Sequence, residues 1–500
     1  MNPAATTPPP GCPVPTNCST RSPPCASCVT RTSAVRPTGP GALNVLPAWS
    51  RRKAKSPRPC ISNRSNLLGH RRRAMLLRSM LAVMLICAGA LSAAAQDLLA
   101  GIAKIEITPA SNGPMFGYSN RKCGLSTAVH DPLYAKALVL QAGSQRVAIV
   151  TMDLGSISSD VIFRRVADEL NIPVLVLALS HTHSAPAFMA YSLGAKEPSP
   201  YLKELETKLF DVVKRASESM TPARLAVGRG SIQLGYNRLL LRDDGRSRAL
   251  FDNLDRVPYG PVDPEVGLIR VDSADGRPRA LLVHYTAHPV ALGTTNCLYS
   301  ADYPGVMKAR VESALPGVEA MFVQGAAGET NPLFQGRTGN SDADFATMTK
   351  MGELLAAEVL RAAKSMEPLP AGPASIVSKT QTLPFTGRWD QSRAFPVGIT
   401  TLLINGKIAI ATVPGEPLLA LQTRWKSDAG VPYPFFYGYT QTTSNPWPGY
   451  IPDIKSAAHG GYGADNATNI EVTAAERIMD QHLVNLYALR GMWLDKPGRP

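Results

Sequence analysis

Short apolar runs alternate with amphipathic segments along residues 97–500, and this alternation restricts the fold more than any other feature of the chain. The apolar runs are rich in β-branched residues and are bounded by turn residues, as buried strands are; they cover 146–152, 173–179, 267–271, 280–285, 320–324 and 407–413. Helical patterns cover 201–220, 345–366 and roughly 472–490. Strands that alternate with helices predict an α/β fold, with mixed or mostly parallel sheets covered by helices in a single large domain.

A second sheet is predicted near residues 380–400, where the pattern is strand-like but irregular. The segment PLPAGPAS at 368–375 is a candidate hinge between two lobes, because Pro and Gly interrupt regular structure there. No repeat of fixed period is present in the sequence, which excludes a solenoid or a propeller.

The first 95 residues differ in composition from the rest of the chain. Residues 1–74 are rich in Pro, Ser, Thr and Arg and contain no Asp or Glu, so we expect them to be disordered, or translated from a start codon placed too early. From Met75, a positive charge at Arg78, an apolar run and small residues up to Ala95 form a signal-peptide pattern over 75–95. The pattern predicts a secreted or periplasmic protein cleaved near Ala95, with an uncleaved N-terminal anchor as the alternative.

The net charge of +14 belongs almost entirely to the N-terminal region, because residues 1–78 carry thirteen Lys or Arg and no acid. The remainder of the chain is close to neutral, so the basic character is no evidence of nucleic-acid binding and no nucleic-acid partner is expected. Cys123 and Cys297 are the two cysteines that follow the signal segment. They form either one disulfide in an oxidising compartment or two free thiols.

Four of the eight histidines lie at the ends of two predicted strands. His181 and His183 are two residues apart, and such residues on an extended chain point the same way, as imidazoles do in many zinc sites. His284 and His288 close another strand; His288 is expected to reach a shared site, and His284 fits a core histidine. Ligand sites gather at the carboxyl ends of strands in doubly wound sheets, so the two pairs favour one metal site. Ordinary polar residues at strand ends are the alternative.

Several other polar residues follow apolar runs. Glu416, in the turn PGEP, is either a metal ligand or a carboxylate that suits the start of the next helix. Tyr450 and His459 are the polar side chains of an aromatic-rich and Gly-rich stretch at 435–465, which lines a pocket or packs on the surface. Asp153 either orients a metal-binding histidine or serves a cap or turn.

An ordered series of these segments resembles the neutral/alkaline non-lysosomal ceramidases. The segment SHTHSAPA is similar to that family's pattern, which is close to HTHSGPG. The other similar segments, in order, are AGIAKIEITP (100–109), MFGY (115–118), GYNR (235–238), HYTAHPVALG with SADYPG (300–305), FVQGAAGETNP (322–332), PGEP and GYIPD. Agreement over roughly 97–490 is more specific than any single motif, and it implies a ceramidase-like catalytic domain over 97–495.

The resemblance implies a zinc site and the residues around it. The implied ligands of Zn²⁺ are His181, His288, Glu416 and Tyr450. With one position left for water, such a site lowers the pKa of that water towards ~7 and polarises an amide carbonyl. His183 would contact the reacting end of the substrate as a proton shuttle or oxyanion donor, while Arg238 and Tyr462 would line the site.

Asn331 is also counted among the catalytic positions, because it stands where ceramidases carry a Ser before the Pro of the Gly-rich loop. A covalent serine mechanism would lack its nucleophile, whereas a zinc–water mechanism survives. The implied function is therefore hydrolysis of the amide bond of a ceramide-like N-acyl lipid, with room for transient contact with a membrane surface. The family's C-terminal immunoglobulin-like domain is expected to be absent. The alternatives are a zinc hydrolase of another small amide or ester, and an inactive surface binding protein of the same fold.

Overall fold

The computed structural model describes residues 97–187, 200–370 and 372–492. The expectations for residues 1–74 and for the signal peptide at 75–95 lie outside these residues. Among the residues described, no helix has the length and apolar character that a membrane span requires.

The described residues form the following helices and strands, numbered in chain order. The helices are α1 (Val161–Leu170), α2 (Pro200–Glu218), α3 (Asp302–Ala314), α4 (Ser341–Ala363), α5 (Leu419–Asp428), α6 (Ile454–His459) and α7 (Ala474–Leu489). The strands are β1 (Leu98–Glu106), β2 (Ala128–Val129), β3 (Tyr134–Ala142), β4 (Gln145–Met152), β5 (Val174–Leu179), β6 (Thr221–Ser231), β7 (Gly235–Asn237), β8 (Leu239–Leu241), β9 (Ser247–Ala249), β10 (Glu265–Ser273), β11 (Pro278–Tyr285), β12 (Leu298–Tyr299), β13 (Glu319–Gln324), β14 (Thr330–Pro332), β15 (Glu367–Pro368), β16 (Ile376–Leu383), β17 (Val397–Ile404), β18 (Ile408–Thr412), β19 (Glu416–Pro417), β20 (Tyr433–Tyr437), β21 (Thr440–Gln441) and β22 (Tyr450–Ile451).

The largest sheet has ten strands, in the order β13-β11-β10-β6-β1-β3-β4-β5-β21, with β15 paired to β6. The pairs β11·β13 and β4·β5 are parallel, and the other pairs of this sheet are antiparallel. The sheet is therefore mixed, as predicted, rather than mostly parallel. The predicted second sheet is the four-stranded β16-β17-β18-β20. The candidate hinge at 368–375 joins the two sheets between β15 and β16.

The two sheets pack face to face, and helices cover the outer face of each. Side chains alternate along a strand, so Val150 of β4 packs under α1 and α2, while Ile149 packs towards the second sheet. The outer face of the second sheet buries Leu403 and Ala411 against α5 and α7. Both faces of the central strands are thus buried, which explains why their sequences are continuous apolar runs.

The two histidine-bearing loops of the large sheet lie close together. Five antiparallel pairs and one parallel pair separate β11 from β5 in the strand order, so these two strands run antiparallel. Their carboxyl ends nevertheless meet, because β13, beside β11, contacts β5, and Gln324 at the end of β13 donates to the carbonyl oxygen of Ser180, after β5, at 3.3 Å. The prediction of a shared site was based on parallel strands, whereas the structure brings together the ends of two antiparallel ones.

A disulfide fixes one side of this region. Cys123 and Cys297 are bonded, with their Cα atoms 6.0 Å apart, which decides between the two states left open by the sequence. Beside the disulfide, Arg121 donates to the carbonyl oxygen of Asn296 at 2.5 Å and to that of His183 at 2.5 Å. The bridge therefore holds the 116–123 segment against the loop that follows His288.

Two buried core histidines, His284 and His482, are expected to make the free energy of unfolding depend on pH. Burial lowers the pKa of His284 to about 4 and that of His482 to about 3, from the ordinary 6.5. Because the folded-state pKa is the lower one, unfolding takes up protons below pH 6.5. The contribution of these two histidines to stability is fully present above that pH. Below it, the free energy of unfolding falls as the pH drops towards 4, by roughly 1.4 kcal/mol per pH unit for each histidine.

Denaturant unfolding of chelator-treated protein at several pH values measures this slope. His482→Gln is the matched variant, because the amide can replace the hydrogen bonds to Thr401 and Thr412. The substitution is expected to reduce the slope of the unfolding free energy against pH by the contribution of one histidine, roughly 1.4 kcal/mol per pH unit. A slope that the substitution leaves unchanged would contradict the assignment.

Candidate metal centre

His181 lies in the loop after β5, and its backbone has a φ of 67°, which few non-glycine residues adopt. The ring is buried, and Nδ1 lies 2.5 Å from the carbonyl oxygen of Gly155. A carbonyl oxygen can only accept, so Nδ1 donates this hydrogen bond. Nε2 is therefore the ring nitrogen that faces the interior of the site.

His288 presents the same arrangement from the loop after β11. Its Nδ1 donates to the carbonyl oxygen of Ala327 at 2.6 Å, and its backbone N–H donates to the carbonyl of Thr330 at 2.8 Å. Burial lowers the pKa of His288 to about 4, although its hydrogen bond with Glu416 opposes this, so the ring is neutral near pH 7. Such hydrogen bonds from Nδ1 commonly orient metal-binding histidines.

Glu416 completes a group of acceptor atoms. Its Oε2 lies 3.4 Å from Nε2 of His181 and 3.1 Å from Nε2 of His288. Because Nδ1 of each ring is engaged with a backbone carbonyl oxygen, both Nε2 atoms converge on one carboxylate oxygen. A cation at this point would satisfy all three groups, so the donor set fits a metal ion.

Tyr450 reaches the site because β22 pairs with β19, which places it directly opposite Glu416. Its Oη accepts a hydrogen bond from Nη2 of Arg238 at 2.8 Å. Burial raises the pKa of the Tyr450 hydroxyl, and the positive charge of Arg238 opposes that rise. The guanidinium also donates to Oδ1 of Asn331 at 3.1 Å and to the carbonyl of Gly328 at 2.6 Å. These hydrogen bonds fix its position beside Tyr450.

His183 joins the same cluster. The ligand atoms of His181, His183 and His288 all lie within 4.8 Å of one another, and this group could hold a metal ion. Burial lowers the pKa of His183 well below 6.5, and within the described residues its Nδ1 is buried without a hydrogen-bond partner. Gly117, at a φ of +100°, passes so close that a Cβ there would lie 2.3 Å from the His183 ring. The structure therefore offers His183 either as a third imidazole ligand or as a proton carrier.

Two cavities meet at this cluster, and Gly117, His183, Tyr450 and Tyr462 line both. Cavity 1, of about 420 Å³, also borders His181 and Glu416, and its wall includes Phe116, Ile157 and Trp447. Cavity 2, of about 620 Å³, borders Arg238 and Asn331 instead. The structure thus brings all eight residues implied by the resemblance to one region, with Tyr462 at its half-exposed rim.

Three other candidates lie outside the cluster. The carboxylate of Asp153 pairs with Lys308 and accepts from the backbone N–H of Tyr134 at 3.0 Å, so it orients no histidine. His284 is a core residue that donates from Nε2 to the carbonyl of Phe436 at 2.7 Å. His459 bonds through Nδ1 to the carbonyl of Gly245 at 2.7 Å and lines neither cavity.

Sequence reasoning missed the aromatic rings that enclose the histidines. The ring centroid of Phe116 lies 5.2 Å from that of His181 and 5.5 Å from that of His183. Tyr439 lies 4.6 Å from His181, and Trp447 stacks on the same ring at 6.1 Å. The segments that contain these rings were recognised as motifs, but contacts between distant parts of the chain leave no local pattern that assigns a ring to the site.

These features describe a layered α/β protein in which three clustered histidines could hold a metal ion, beside Glu416 and two cavities. The sequence matches the model of the neutral/alkaline non-lysosomal ceramidase N-terminal domain over residues 98–357. This match covers more than half of the chain, and the protein belongs to the neutral/alkaline non-lysosomal ceramidase family.

Individual relatives agree with this placement. Neutral ceramidase A of Dictyostelium discoideum is 27% identical over 275 residues, which cover 49% of this chain and 37% of that protein. Neutral ceramidase B of the same organism is 25% identical over 269 residues, with 48% and 36% covered. The chain therefore matches little more than a third of the length of these relatives.

The solved structures show that the fold is shared. Neutral ceramidase from Pseudomonas aeruginosa superposes with a TM-score of 0.66 at 18% identity, covering 81% of this chain and 76% of the other. A ceramidase complexed with C2 gives a TM-score of 0.65 at 17% identity, with 81% and 77% covered.

Proposed function

We propose that this protein is a zinc-dependent hydrolase that cleaves the amide bond of ceramide-like N-acyl lipids. The observation that carries the proposal is the convergence of the Nε2 atoms of His181 and His288 on the carboxylate of Glu416, beside two cavities. Membership of the ceramidase family supports the same reaction, since the curated relatives are named neutral ceramidases.

His181, His288 and Glu416 would hold the ion, with Tyr450 as the fourth ligand. Two imidazoles and a carboxylate form a donor set typical of catalytic zinc sites, which keep a position open for water. When bound, the zinc ion supplies Lewis-acid chemistry, which lowers the pKa of water and polarises an amide carbonyl. The hydrogen bond from Arg238 orients the Tyr450 oxygen and favours its anionic form.

His183 is the residue that we assign to proton transfer. Its lowered pKa keeps the ring neutral near pH 7, so one ring nitrogen can accept a proton. The ring lines both cavities, so it would lie beside a scissile bond placed between them. It would take a proton from the attacking water and deliver it to the amine nitrogen as the C–N bond breaks.

Cavity 1 is suited to the acyl chain. Phe116, Ile157 and Trp447 give it an apolar wall, and ligand pockets commonly combine such walls with a few polar groups at the reacting end. The amine half of the substrate would then occupy cavity 2.

Asn331 favours a second candidate function. It occupies the position of the family Ser, and its Oδ1 accepts the hydrogen bond from Arg238. A hydrolase of another small amide or ester would retain the metal site equally well, and a binding protein without turnover would retain the fold.

The proposal predicts that purified, zinc-loaded protein hydrolyses an N-acyl lipid and that this hydrolysis stops when a chelator removes the metal. Release of fatty acid from N-lauroylsphingosine and from the matched ester measures the reaction, and elemental analysis measures about one zinc per chain. Activity restored by added zinc is the expected control result. Full activity in metal-free protein, or no turnover of any amide by zinc-loaded protein, would contradict the proposal.

We further propose export to the periplasm or the cell exterior. The disulfide between Cys123 and Cys297 supports this, because such bonds persist in oxidising compartments. N-terminal sequencing of protein recovered from the periplasm or the medium tests it; the expected mature chain begins just after Ala95, and an intracellular protein that retains residues 75–95 would contradict it.

A further inference from the structure

Cavity 2 carries more charged groups than the proposed hydrolysis uses. Its lining includes Arg337 and Asp252 as well as Arg238, the residue that bonds to Tyr450. Thr294 and Thr295 add neutral hydroxyl groups to its wall. A ceramide offers no negative charge to such a cavity, because its amine half bears hydroxyl groups and an alkyl chain.

Both arginines line cavity 2 and both contact Phe251. The Cζ atom of Arg238 lies 5.6 Å from the ring centroid of Phe251, and Nη1 of Arg337 donates to the carbonyl oxygen of Phe251 at 3.0 Å. Within the described residues, the Nε atom of each arginine is buried and has no hydrogen-bond partner. Arg238 as a whole is only 4% exposed. Cationic groups held in this way form strong charge-assisted hydrogen bonds with a carboxylate.

Arg337 can exchange its present partner. Its Nη1 lies 2.6 Å from Oδ1 of Asp252, but the Asp252 side chain is 66% exposed, whereas that of Arg337 is 16% exposed. An ion pair with one partner in solvent contributes little stability, so a substrate carboxylate in the less exposed cavity can replace Asp252. Nη2 of Arg337 donates to the carbonyl of Val290 at 3.1 Å, which holds the guanidinium in place during such an exchange.

The distance to the reacting centre limits the ligand to a short one. Arg238 is a single hydrogen bond of 2.8 Å from Tyr450, which we assign to the metal. An anion bound between the arginines would therefore lie within a few bonds of the scissile amide. A carboxylate on the α-carbon of the amine half meets this requirement.

We propose that the preferred substrates are N-acyl amino acids, with the acyl chain in cavity 1 and the carboxylate of the amine half bound by Arg238 and Arg337 in cavity 2. The proposal rests on the amidase function given above and specifies its substrate class. In the reaction, the oxygen of water bonds to the acyl carbon, the amide C–N bond breaks, and a proton passes to the nitrogen. The products are a fatty carboxylate and a free amino acid.

The test compares substrates that share one acyl chain: N-lauroylglycine, its neutral analogue N-lauroylglycinamide, and N-lauroylsphingosine. Zinc-loaded wild type is expected to give a kcat/KM for the acid at least tenfold above that for the glycinamide, chiefly through KM. Arg337→Gln should remove this preference, with a loss of kcat/KM at least tenfold larger for the acid than for the glycinamide. Asp252→Asn, which releases Arg337 from its ion pair, should increase the preference. Calorimetric titration of chelator-treated protein should show the same order of affinities without turnover.

Each other outcome overturns a defined claim. Equal or better hydrolysis and binding of the neutral substrates by wild type would overturn the carboxylate proposal while leaving the amidase function intact. So would an Arg337→Gln variant that loses activity on all substrates equally. If Arg337→Gln does not fold, an Asp252→Asn variant with no gain for the acid overturns the proposal instead. Absence of hydrolysis of all three substrates would refute the amidase function itself.

Discussion

His181→Ala is expected to abolish amide hydrolysis, with kcat/KM lower by about 10³-fold or more, and to reduce bound zinc well below one per chain. The reason is that Nε2 of His181 is one of two imidazole nitrogens that face Glu416, and alanine would leave the ion with too few protein ligands. The fold is expected to survive, because Arg121, near the Cys123–Cys297 disulfide, also holds the loop after β5 through the carbonyl oxygen of His183. Elemental analysis and fatty-acid release measure the two effects.

His284→Gln is the matched control for this experiment. It alters another buried histidine, but one that bonds to the carbonyl of Phe436 in the core. The control is expected to keep both zinc and turnover, at some cost in stability. Wild-type turnover by His181→Ala would show that the ligand assignment is wrong.

His183→Gln is expected to lower kcat by about 10²–10⁴-fold while zinc content stays at the wild-type value. The loss follows from the removal of a group that can carry a proton beside the scissile bond, and the acidic limb of the pH–rate profile should change with it. Glutamine keeps polar atoms near the space filled by the ring. Steady-state kinetics across pH, with zinc measured on the same samples, provide the comparison.

The zinc content of the His183→Gln variant distinguishes the two possible roles of His183, metal ligand and proton carrier. Loss of zinc together with activity would identify His183 as a third imidazole ligand, in keeping with its distance from the other two histidines. Tyr118→Phe is a useful control, because the Tyr118 ring lies 4.8 Å from that of His183 while its hydroxyl bonds only to the carbonyl of Leu292 at 3.0 Å among the described residues. It should leave both zinc and kcat nearly unchanged.

Much of the fold was predictable because its central strands have two buried faces. Every residue of β17 and of β18 is buried, so their sequences are mostly apolar and rich in β-branched residues and were recognisable as strands or strand-like segments. The four-layer arrangement was not predictable in the same way, since an apolar run does not reveal whether a helix or a second sheet covers it. The meeting of the two histidine-bearing strand ends also depends on contacts between β13 and β5, which are distant in sequence.

The site was predictable where a motif is local. His181 and His288 were identified from strand ends, and the structure places both beside Glu416. Glu416 and Tyr450 needed the family resemblance, because they meet only through the two-residue pairing of β19 with β22. Arg337 was missed altogether: its position in cavity 2 depends on a loop that contacts Phe251 and Val290, and no spacing in the sequence indicates those contacts.

The central claim is that one metal ion binds where His181, His288 and Glu416 converge. A crystal of zinc-soaked protein, with diffraction recorded above and below the zinc absorption edge, measures this directly. The account predicts a single strong anomalous peak within about 2.0–2.2 Å of both Nε2 atoms and of a Glu416 carboxylate oxygen. No peak at that point, or one bound by other side chains, would contradict it.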